Sequence, residues 1–348
     1  MASLKSPIMA IVAWSVAAAA SAQTEPAPDP FWNGRTMKLI IGADAGGGYD
    51  QVGRVVAQHM PRHMPGSVRI LPQNMPGAGG VRATNFLANL AEKDGTAIAV
   101  LNRGVIYAGL LQSEGAQYHS EKLNWIGSPS QEVSLCVLWR PGPVETFRQA
   151  QQKEVMIGGT SPNDDTVALA ATMQNVLGAK FRIIKGYKSG TEVSLAMERG
   201  EVNGRCGWSW TSLQAQQSQW YDDGKLNIIV SMGLTRNPLF PDVPLAIDMA
   251  TTDEQRQVLA FILARQAMGR PFVAPAETPP ARLQTLRTAF WQTMEDPEFL
   301  AEMKTLRFDV DPVSGEKLQK SIEDLKAIPR ALMDQAEKAL IARPSAVP

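Results

Sequence analysis

The segment that decides the fold is "MKLIIGADAGGGYDQVGRVVAQHM", residues 37–60. It begins with a short apolar run, continues through the three consecutive glycines at 46–48, and ends in a run whose apolar residues recur at helical spacing. This order predicts a buried strand, a glycine-rich junction and an amphipathic helix. The junction needs an explanation, because glycine is the residue that lets another group approach the backbone closely.

The same alternation of strand and helix continues along the chain. "SVRILPQ" and "TAIAVLN" are strand-like, with the loop "NMPGAGG" and a helical run between them. A second series starts near residue 130, where "EVMIGGT", "FRIIKGY" and "EVNGRCGWSW" are each followed by a helical pattern. We therefore expect an α/β fold with two units, each a mostly parallel sheet flanked by helices.

These patterns predict the domain organisation. We assign residues 1–22 to a signal peptide, 23–35 to a flexible proline-rich leader, 36–128 to the first part of lobe 1, 129–233 to lobe 2, and 234–348 to the second part of lobe 1 with the C-terminal helices. The mainly helical last region is expected to pack back onto lobe 1. The chain would then cross between the lobes twice, which favours a hinge.

The N-terminal residues resemble an export signal. Their apolar core, "IMAIVAWSVAAAA", is shorter than a membrane span requires, and small residues precede a possible cleavage site after Ala22. We expect export to the periplasm with cleavage near Ala22; an uncleaved membrane anchor is the alternative.

Composition limits the possible partners. Lys plus Arg and Asp plus Glu number 34 each, so the chain lacks the basic excess of a nucleic-acid-binding protein, and we expect no nucleic acid partner. Neither a Walker A loop nor a correctly placed GxGxxG is present, and we expect no cofactor.

His59 and His63 are spaced as two metal ligands on one helix could be, but Pro61 lies between them and is expected to end the helix. We therefore expect no metal.

Two cysteines, Cys136 and Cys206, stand in strand-like runs. Export would allow a disulfide between them, and two buried free thiols are the alternative, because the sequence does not give their separation.

Four junctions between a strand and a helix are alike, at residues 45–50, 74–80, 158–165 and 186–192. In open parallel sheets such loops lie at the edge where ligands bind. Unpaired N–H groups and a partial positive charge at helix N-termini favour an anion there. The sequence therefore predicts a cleft for a small carboxylate, although each glycine could instead serve only a tight turn.

Three further features extend the predicted site beyond these junctions. Arg103 follows the third strand and could hold a carboxylate, Lys188 lies in the fourth junction, and Trp208 and Trp210 would share a strand face. Arg205 lies within a strand-like run, and we expect it to be structural. The predicted ligand site comprises Ala45, Gly46, Gly47, Gly48, Tyr49, Asp50, Pro76, Gly77, Ala78, Gly79, Gly80, Arg103, Thr160, Ser161, Asn163, Asp165, Tyr187, Lys188, Ser189, Gly190, Trp208 and Ser209.

Several segments resemble the Bug family, the extracytoplasmic solute receptors of tripartite tricarboxylate transporters. They are "LIIGADAGGGYDQVGRVVAQHM", "NMPGAGGVRATNFLANLAEKDGT", "GYKSG", "LAMERGEVNG" and "NPLFPDVP", in family order from about residue 37 to about residue 340. The resemblance implies a periplasmic, two-lobed Venus-flytrap fold, with the first two loops holding a carboxylate through backbone amides and the second lobe meeting its far end. It also implies membrane transporter subunits as partners, and we expect a monomer.

The sequence departs from the family pattern at two places. "NDDT", residues 163–166, stands where a histidine is common, and "GWSW", residues 207–210, replaces a common Phe-Asp-Asn. Both fall where ligand identity would be set, so the substrates of relatives are not transferred. A receptor for a sensor system is the alternative among binding proteins. A hydrolase using the glycines as an oxyanion hole lacks a Ser–His pair, and we expect no enzyme.

Overall fold

The computed structural model describes residues 30–343, so the predicted signal peptide lies outside the described residues. The described part contains eleven strands in two sheets. The strands are β1 (Thr36–Ile41), β2 (Arg69–Asn74), β3 (Ala97–Val100), β4 (Asn124–Ser128), β5 (Ser134–Trp139), β6 (Val155–Gly159), β7 (Phe181–Lys185), β8 (Gly204–Ser209), β9 (Leu226–Met232), β10 (Phe272–Ala274) and β11 (Val313–Ser314).

Twelve α-helices lie among these strands in residues 30–343. They are α1 (Gly48–His59), α2 (Val81–Asn89), α3 (Gly104–Leu111), α4 (Phe147–Ala150), α5 (Asp165–Leu177), α6 (Gly190–Glu198), α7 (Trp210–Asp222), α8 (Asp253–Leu263), α9 (Pro280–Glu295), α10 (Pro297–Thr305), α11 (Gly315–Lys326) and α12 (Arg330–Leu340). Within the described range, none of them combines the length and the apolar character that crossing a bilayer requires.

The first sheet has the order β11-β4-β10-β3-β1-β2, and the second has the order β7-β6-β8-β5-β9. We call the parts built on these sheets the first and second lobes. The chain enters the second sheet at β5 and returns to the first at β10. The first lobe is therefore built from two separate parts of the chain.

Both sheets are mixed rather than mostly parallel. β1 pairs in parallel with β2 and β3, and β6 with β7 and β8, as the β–α alternation predicted. The strands next to the crossings run the other way: β10 is antiparallel to β3 and β4, and β5 is antiparallel to β8 and β9. A strand that follows its neighbour through a single right-handed crossover must run parallel to it. β5 and β10 are not connected to their neighbours in this way, so they can run antiparallel.

The central strands of the first sheet bury both faces. Leu39 and Ile41 of β1 belong to one apolar cluster, whereas Ile40 between them belongs to the other. Ile98 and Ala99 of β3 divide in the same way. This period of two places helices on both sides of the sheet, which fixes the helix N-termini above the carboxyl ends of the strands.

The described end of the predicted leader is packed rather than flexible. Residues 30–32 form a 3-10 helix, and the side chain of Trp32 is fully buried in the first lobe. Burying an aromatic ring of this size stabilises the fold by about 3 kcal/mol, enough to hold the segment against the lobe.

The second sheet contains a disulfide. Cys136 of β5 and Cys206 of β8 are bonded, with their Cα atoms 3.9 Å apart on neighbouring antiparallel strands. The bond closes a separation of 70 residues within the second lobe.

Candidate ligand-binding cleft

A cavity of about 420 Å³ lies between the carboxyl-end edges of the two sheets. The loops after β1, β2 and β3 form one wall, and the loops after β6, β7 and β8 form the other. Its volume is in the range of sites for small molecules. This cavity is the candidate ligand site.

The first loop leaves backbone donors free. Gly47 is the N-cap residue of α1 and provides no side chain to cap the helix. Among the described residues no acceptor takes the N–H of Gly48 or of Tyr49, and both residues line the cavity. The helix N-terminus therefore presents unsatisfied donors and a partial positive charge to the cavity.

Asp50 stabilises this loop from the side that faces away from the cavity. Its carboxylate accepts hydrogen bonds from the Gly46 N–H at 2.8 Å, from Arg54 Nε at 2.9 Å and from Asn74 Nδ2 at 2.8 Å. Burial would raise the pKa of Asp50, but these hydrogen bonds outweigh that effect and hold the pKa below its usual value. Asp50 thus shapes the loop and does not face the cavity.

The second loop has an unusual backbone. Gly77, Ala78, Gly79 and Gly80 all have positive φ, at 134°, 49°, 64° and 94°. Gly80 is the N-cap residue of α2 and provides no capping side chain, and in residues 30–343 the N–H groups of Ala78 and Gly79 have no acceptor. A Cβ atom on Gly79 would lie 2.8 Å from the backbone carbonyl carbon of Asn163 in the second lobe. Glycine is therefore required here both for its conformation and for the close approach of the two lobes.

The helices of the opposite wall are capped by their own side chains. Asp164 caps α5, Ser189 caps α6 and Ser209 caps α7, each by accepting a hydrogen bond from a backbone N–H of the first turn. The two walls therefore differ: the first lobe has no capping side chains and offers backbone N–H groups of α1 and of the loop before α2, whereas the second lobe offers polar side chains.

Two buried polar atoms of the second lobe lack partners. Ser161 Oγ and Trp208 Nε1 have no hydrogen bond to any described residue, and both residues line the cavity. Buried polar groups in native proteins are nearly always paired, so a ligand or an ordered water is expected to satisfy them.

Arg103 connects the lobes through a buried ion cluster. Its Nε donates to Asp165 at 2.7 Å, its Nη2 donates to Ser134 Oγ at 3.0 Å, and Arg265 donates to the other oxygen of Asp165 at 3.2 Å. Burial would raise the pKa of Asp165, but the two guanidinium groups outweigh this and hold the pKa below its usual value. Arg103 and Asp165 line the cavity with their charges already compensated.

Arg270 is a second link that the sequence analysis missed. It pairs with buried Glu132 and also donates to the hydroxyl groups of Thr211 and Ser212, both at 2.9 Å. Arg270 precedes β10, whose N-terminal end lies at the carboxyl edge of its neighbours because the strand is antiparallel to them. No local sequence motif predicts that Arg270 lies at the cavity.

Most of the predicted site residues line the cavity. Four do not: Ala45, Gly46, Asp50 and Asn163, of which Asn163 contributes only its backbone where the lobes meet. The lining residues that the prediction lacked are Gly42, Ala43, Asp44, Asn102, Asp164, Thr166, Gly186, Thr191, Arg205, Gly207, Ser212, Gln216 and Arg270. Several of these directly adjoin predicted residues, so extending each junction by one or two positions would have found them.

The two tryptophans do not share a strand face. Trp208 is in β8 and lines the cavity, but the strand ends at Ser209 and Trp210 begins α7. The ring of Trp210 packs edge-on against Tyr221 and Phe240. Alternation failed as a guide because it applies only while the strand continues.

No histidine is found among the residues that line the cavity within the described range. His59 contacts Glu302, and His63 contacts Asp296, both away from the cavity. Ser161 consequently has no histidine beside it in the described part of the chain, and no Ser–His pair is formed there.

Two α/β lobes with a polar cavity at the carboxyl ends of their strands define a two-lobed periplasmic binding protein of the Venus-flytrap type. Comparison with known proteins assigns the family. Residues 52–336 match the model of the tripartite tricarboxylate transporter family receptor, and the chain belongs to that family.

A curated relative is the UPF0065 protein in gbd 5'region of Cupriavidus necator, which is 24% identical over 295 residues and 80% of each chain. Among solved structures, the periplasmic binding protein BugD is 20% identical with a TM-score of 0.68, covering 89% of this chain and 99% of that one. The R. palustris protein Rpa4515 with adipate is 16% identical with a TM-score of 0.67 and the same coverage. The structural matches show the shared fold.

Proposed function

We propose that this protein is an exported receptor that captures a small carboxylate between its lobes and delivers it to the membrane subunits of a tripartite tricarboxylate-type transporter. The observation that carries this proposal is the set of unpaired backbone N–H groups at the cavity wall, at the uncapped N-terminus of α1 and in the glycine loop before α2. These N–H groups suit carboxylate oxygens, and the dipoles of both helices favour negative charge. The adipate bound to a protein of the same fold supports an acid as ligand.

Ligand capture follows from contacts that bridge the lobes. In the structure the lobes touch around the cavity, with Arg103 of one bonded to Asp165 of the other, and Asn102 Nδ2 bonded to Asp164 at 2.9 Å. A ligand that contacts both walls stabilises this closed arrangement relative to an open one and shifts the equilibrium toward it. The closed form then docks as a monomer on the transporter, in the periplasm, after cleavage near Ala22.

A thermal melting scan tests ligand capture. The chain from residue 23 onward is scanned against dicarboxylates, tricarboxylates, aromatic acids and amino acids, with neutral sugars and nucleotides as controls. An acid present at about 100 times its dissociation constant stabilises the protein by roughly 2.7 kcal/mol, a clear rise in Tm. A rise with sugars or nucleotides and with no acid would refute the carboxylate assignment.

Uptake measurements test delivery. Cells lacking this gene are expected to lose uptake of the acid found in the scan and to regain it with the wild-type gene. Unchanged uptake, with a lost transcriptional or chemotactic response to the same acid, would instead indicate a sensor receptor.

A further inference from the structure

Arg205 of β8 is a buried cation at the second wall of the cavity. Its side chain is about 4% exposed, and its guanidinium group lies 4.4 Å from the ring centre of Trp208. Nη1 donates to the Gly190 carbonyl at 2.6 Å and to Ser194 Oγ at 3.1 Å. These contacts fix the plane of the guanidinium group, so the side chain is preorganised rather than mobile.

The charge of Arg205 has no counter-ion in the described part of the chain. Arg103 and Arg265 share Asp165, and Arg270 has Glu132, but no carboxylate of residues 30–343 forms an ion pair with Arg205. Asp164 exerts an attraction from nearby, yet its oxygens are engaged by Thr166 and Asn102.

Burial accordingly lowers the pKa of Arg205 to about 10, and the charge of Asp164 opposes this only in part. A buried charge that is only partly compensated is unfavourable, so binding of an external anion would stabilise it.

Free donors are grouped beside this charge. A Cβ atom on Gly190 would lie 2.7 Å from Arg205 Nη2, which places Nη2 directly against the first turn of α6. Nη2 itself makes no hydrogen bond to a described residue, and within residues 30–343 the N–H groups of Gly190 and Thr191 have no acceptor either. All three residues line the cavity, and together they provide a guanidinium group and two backbone donors for one anionic group.

We propose that Arg205 is a specificity-determining residue that binds a second anionic group of the ligand, so that the natural ligand is a dianion. This inference rests on the proposed function, since it assumes that one carboxylate occupies the loops of the first lobe. Those loops recognise a carboxylate through backbone N–H groups, which are the same for a monoacid and a diacid. Discrimination between the two therefore falls to the opposite wall, where a monoacid would leave Arg205 without a counter-ion.

The test compares acids of matched length on the mature protein. Affinities are measured by calorimetry for succinate, glutarate and adipate, for butanoate, pentanoate and hexanoate, and for 6-aminohexanoate. At one length or more, the diacid is expected to bind the wild type about 10- to 100-fold more tightly than its monoacid, the range of a charge-assisted hydrogen bond. Arg205→Met is expected to remove this difference by weakening the diacid alone.

Two further variants control for charge and folding. Arg148→Met removes an exposed cation of α4 in the second lobe, far from the lining residues, and the preference for the diacid should survive it. Arg205→Lys keeps the charge without the fork of donors and should retain part of the preference. If Arg205→Met fails to fold, Arg205→Lys replaces it in the test, and an undiminished preference for the diacid in that variant would count against the role of Arg205.

The outcomes separate the two proposals. Equal wild-type affinity for diacids and monoacids, tighter binding of 6-aminohexanoate, or a preference that persists in Arg205→Met would overturn the role of Arg205 and leave carboxylate capture intact. Absence of binding for every acid, in calorimetry as in the melting scan, would overturn both.

Discussion

Gly79 offers a direct test of whether the lobes meet in the ligand-bound protein as they do in the structure. An alanine Cβ at this position would lie 2.8 Å from the Asn163 carbonyl carbon and 2.9 Å from the Asp164 nitrogen, both backbone atoms of the opposite lobe. Ordinary contact begins at 3.4 Å, so the backbones must separate by about 0.6 Å, the difference between 3.4 and 2.8 Å. Gly79→Ala should therefore hinder closure while leaving each lobe intact.

Gly79→Ala has two separate energetic costs, the backbone strain of the loop and the clash between the lobes. Positive φ costs an alanine about 1–2 kcal/mol, and this strain acts on the open and closed forms alike. The clash acts on the closed form alone, and overpacking of this kind costs about 1–3 kcal/mol. The dissociation constant for the ligand found in the scan should then rise about 5- to 150-fold.

Gly178→Ala is the matched control. Gly178 has φ of 72° at the end of α5, close to the 64° of Gly79, but nothing lies within 4 Å of its would-be Cβ atom. Both variants should melt a few degrees below the wild type, and calorimetry should show weakened binding only for Gly79→Ala. Equal affinities for the two variants would mean that the lobes do not meet at Gly79 in the bound state.

Three further predictions concern stability. Asp165→Asn leaves Arg103 and Arg265 without their buried counter-ion and should lower the free energy of unfolding by about 3–5 kcal/mol in urea titrations at pH 7; a loss below 1 kcal/mol would contradict the pairing. The folded-state pKa of Asp165 lies below its unfolded value, so its contribution to stability is present above about pH 4 and is lost as the pH falls through the folded pKa. The free energies of unfolding of the wild type and Asp165→Asn should therefore converge in acid. A constant difference between them down to about pH 2 would refute this. Reducing the bond between Cys136 and Cys206 should lower the free energy of unfolding by about 2–4 kcal/mol, measured with and without reductant, and an unchanged midpoint would exclude a disulfide in solution.

The parts of the fold that sequence could predict are those set by local patterns. The apolar run Met37–Ile41 and the helical spacing after the glycines predict β1 and α1, because burial of these residues follows directly from residue order. The glycine loops could likewise be recognised, since positive φ at Gly79 and Gly80 restricts the residue type at those positions.

Non-local placement could not be predicted in this way. Arg270 reaches the cavity because β10 runs antiparallel to β3, and its partner Glu132 lies 138 residues away. Strand direction in a segment as short as Phe272–Ala274 depends on how the chain returns from the second sheet, which no local pattern contains. The mixed character of both sheets escaped prediction for the same reason.

Arg205 shows a different limit. Arg205 lies within a strand-like run and directly precedes Cys206, and on that ground the sequence suggested a structural role. The acid that attracts Arg205 is Asp164, but its oxygens are bonded to Thr166 and Asn102, and the adjacent Asp165 pairs with Arg103 and Arg265. Whether a buried cation has a counter-ion depends on which acids already form ion pairs with other cations. Only the folded structure contains that information.

The two walls together make closure depend on the whole ligand. In the complex that we propose, backbone donors of the first lobe hold one carboxylate, and the guanidinium group of Arg205 in the second lobe holds the other. A ligand shifts the open–closed equilibrium only by the difference in its affinity for the two forms, and a group bound to one lobe alone contributes nothing to that difference. A diacid long enough to reach Arg205 gains its second set of contacts only when the lobes close, so closure and the choice of ligand rest on the same interaction.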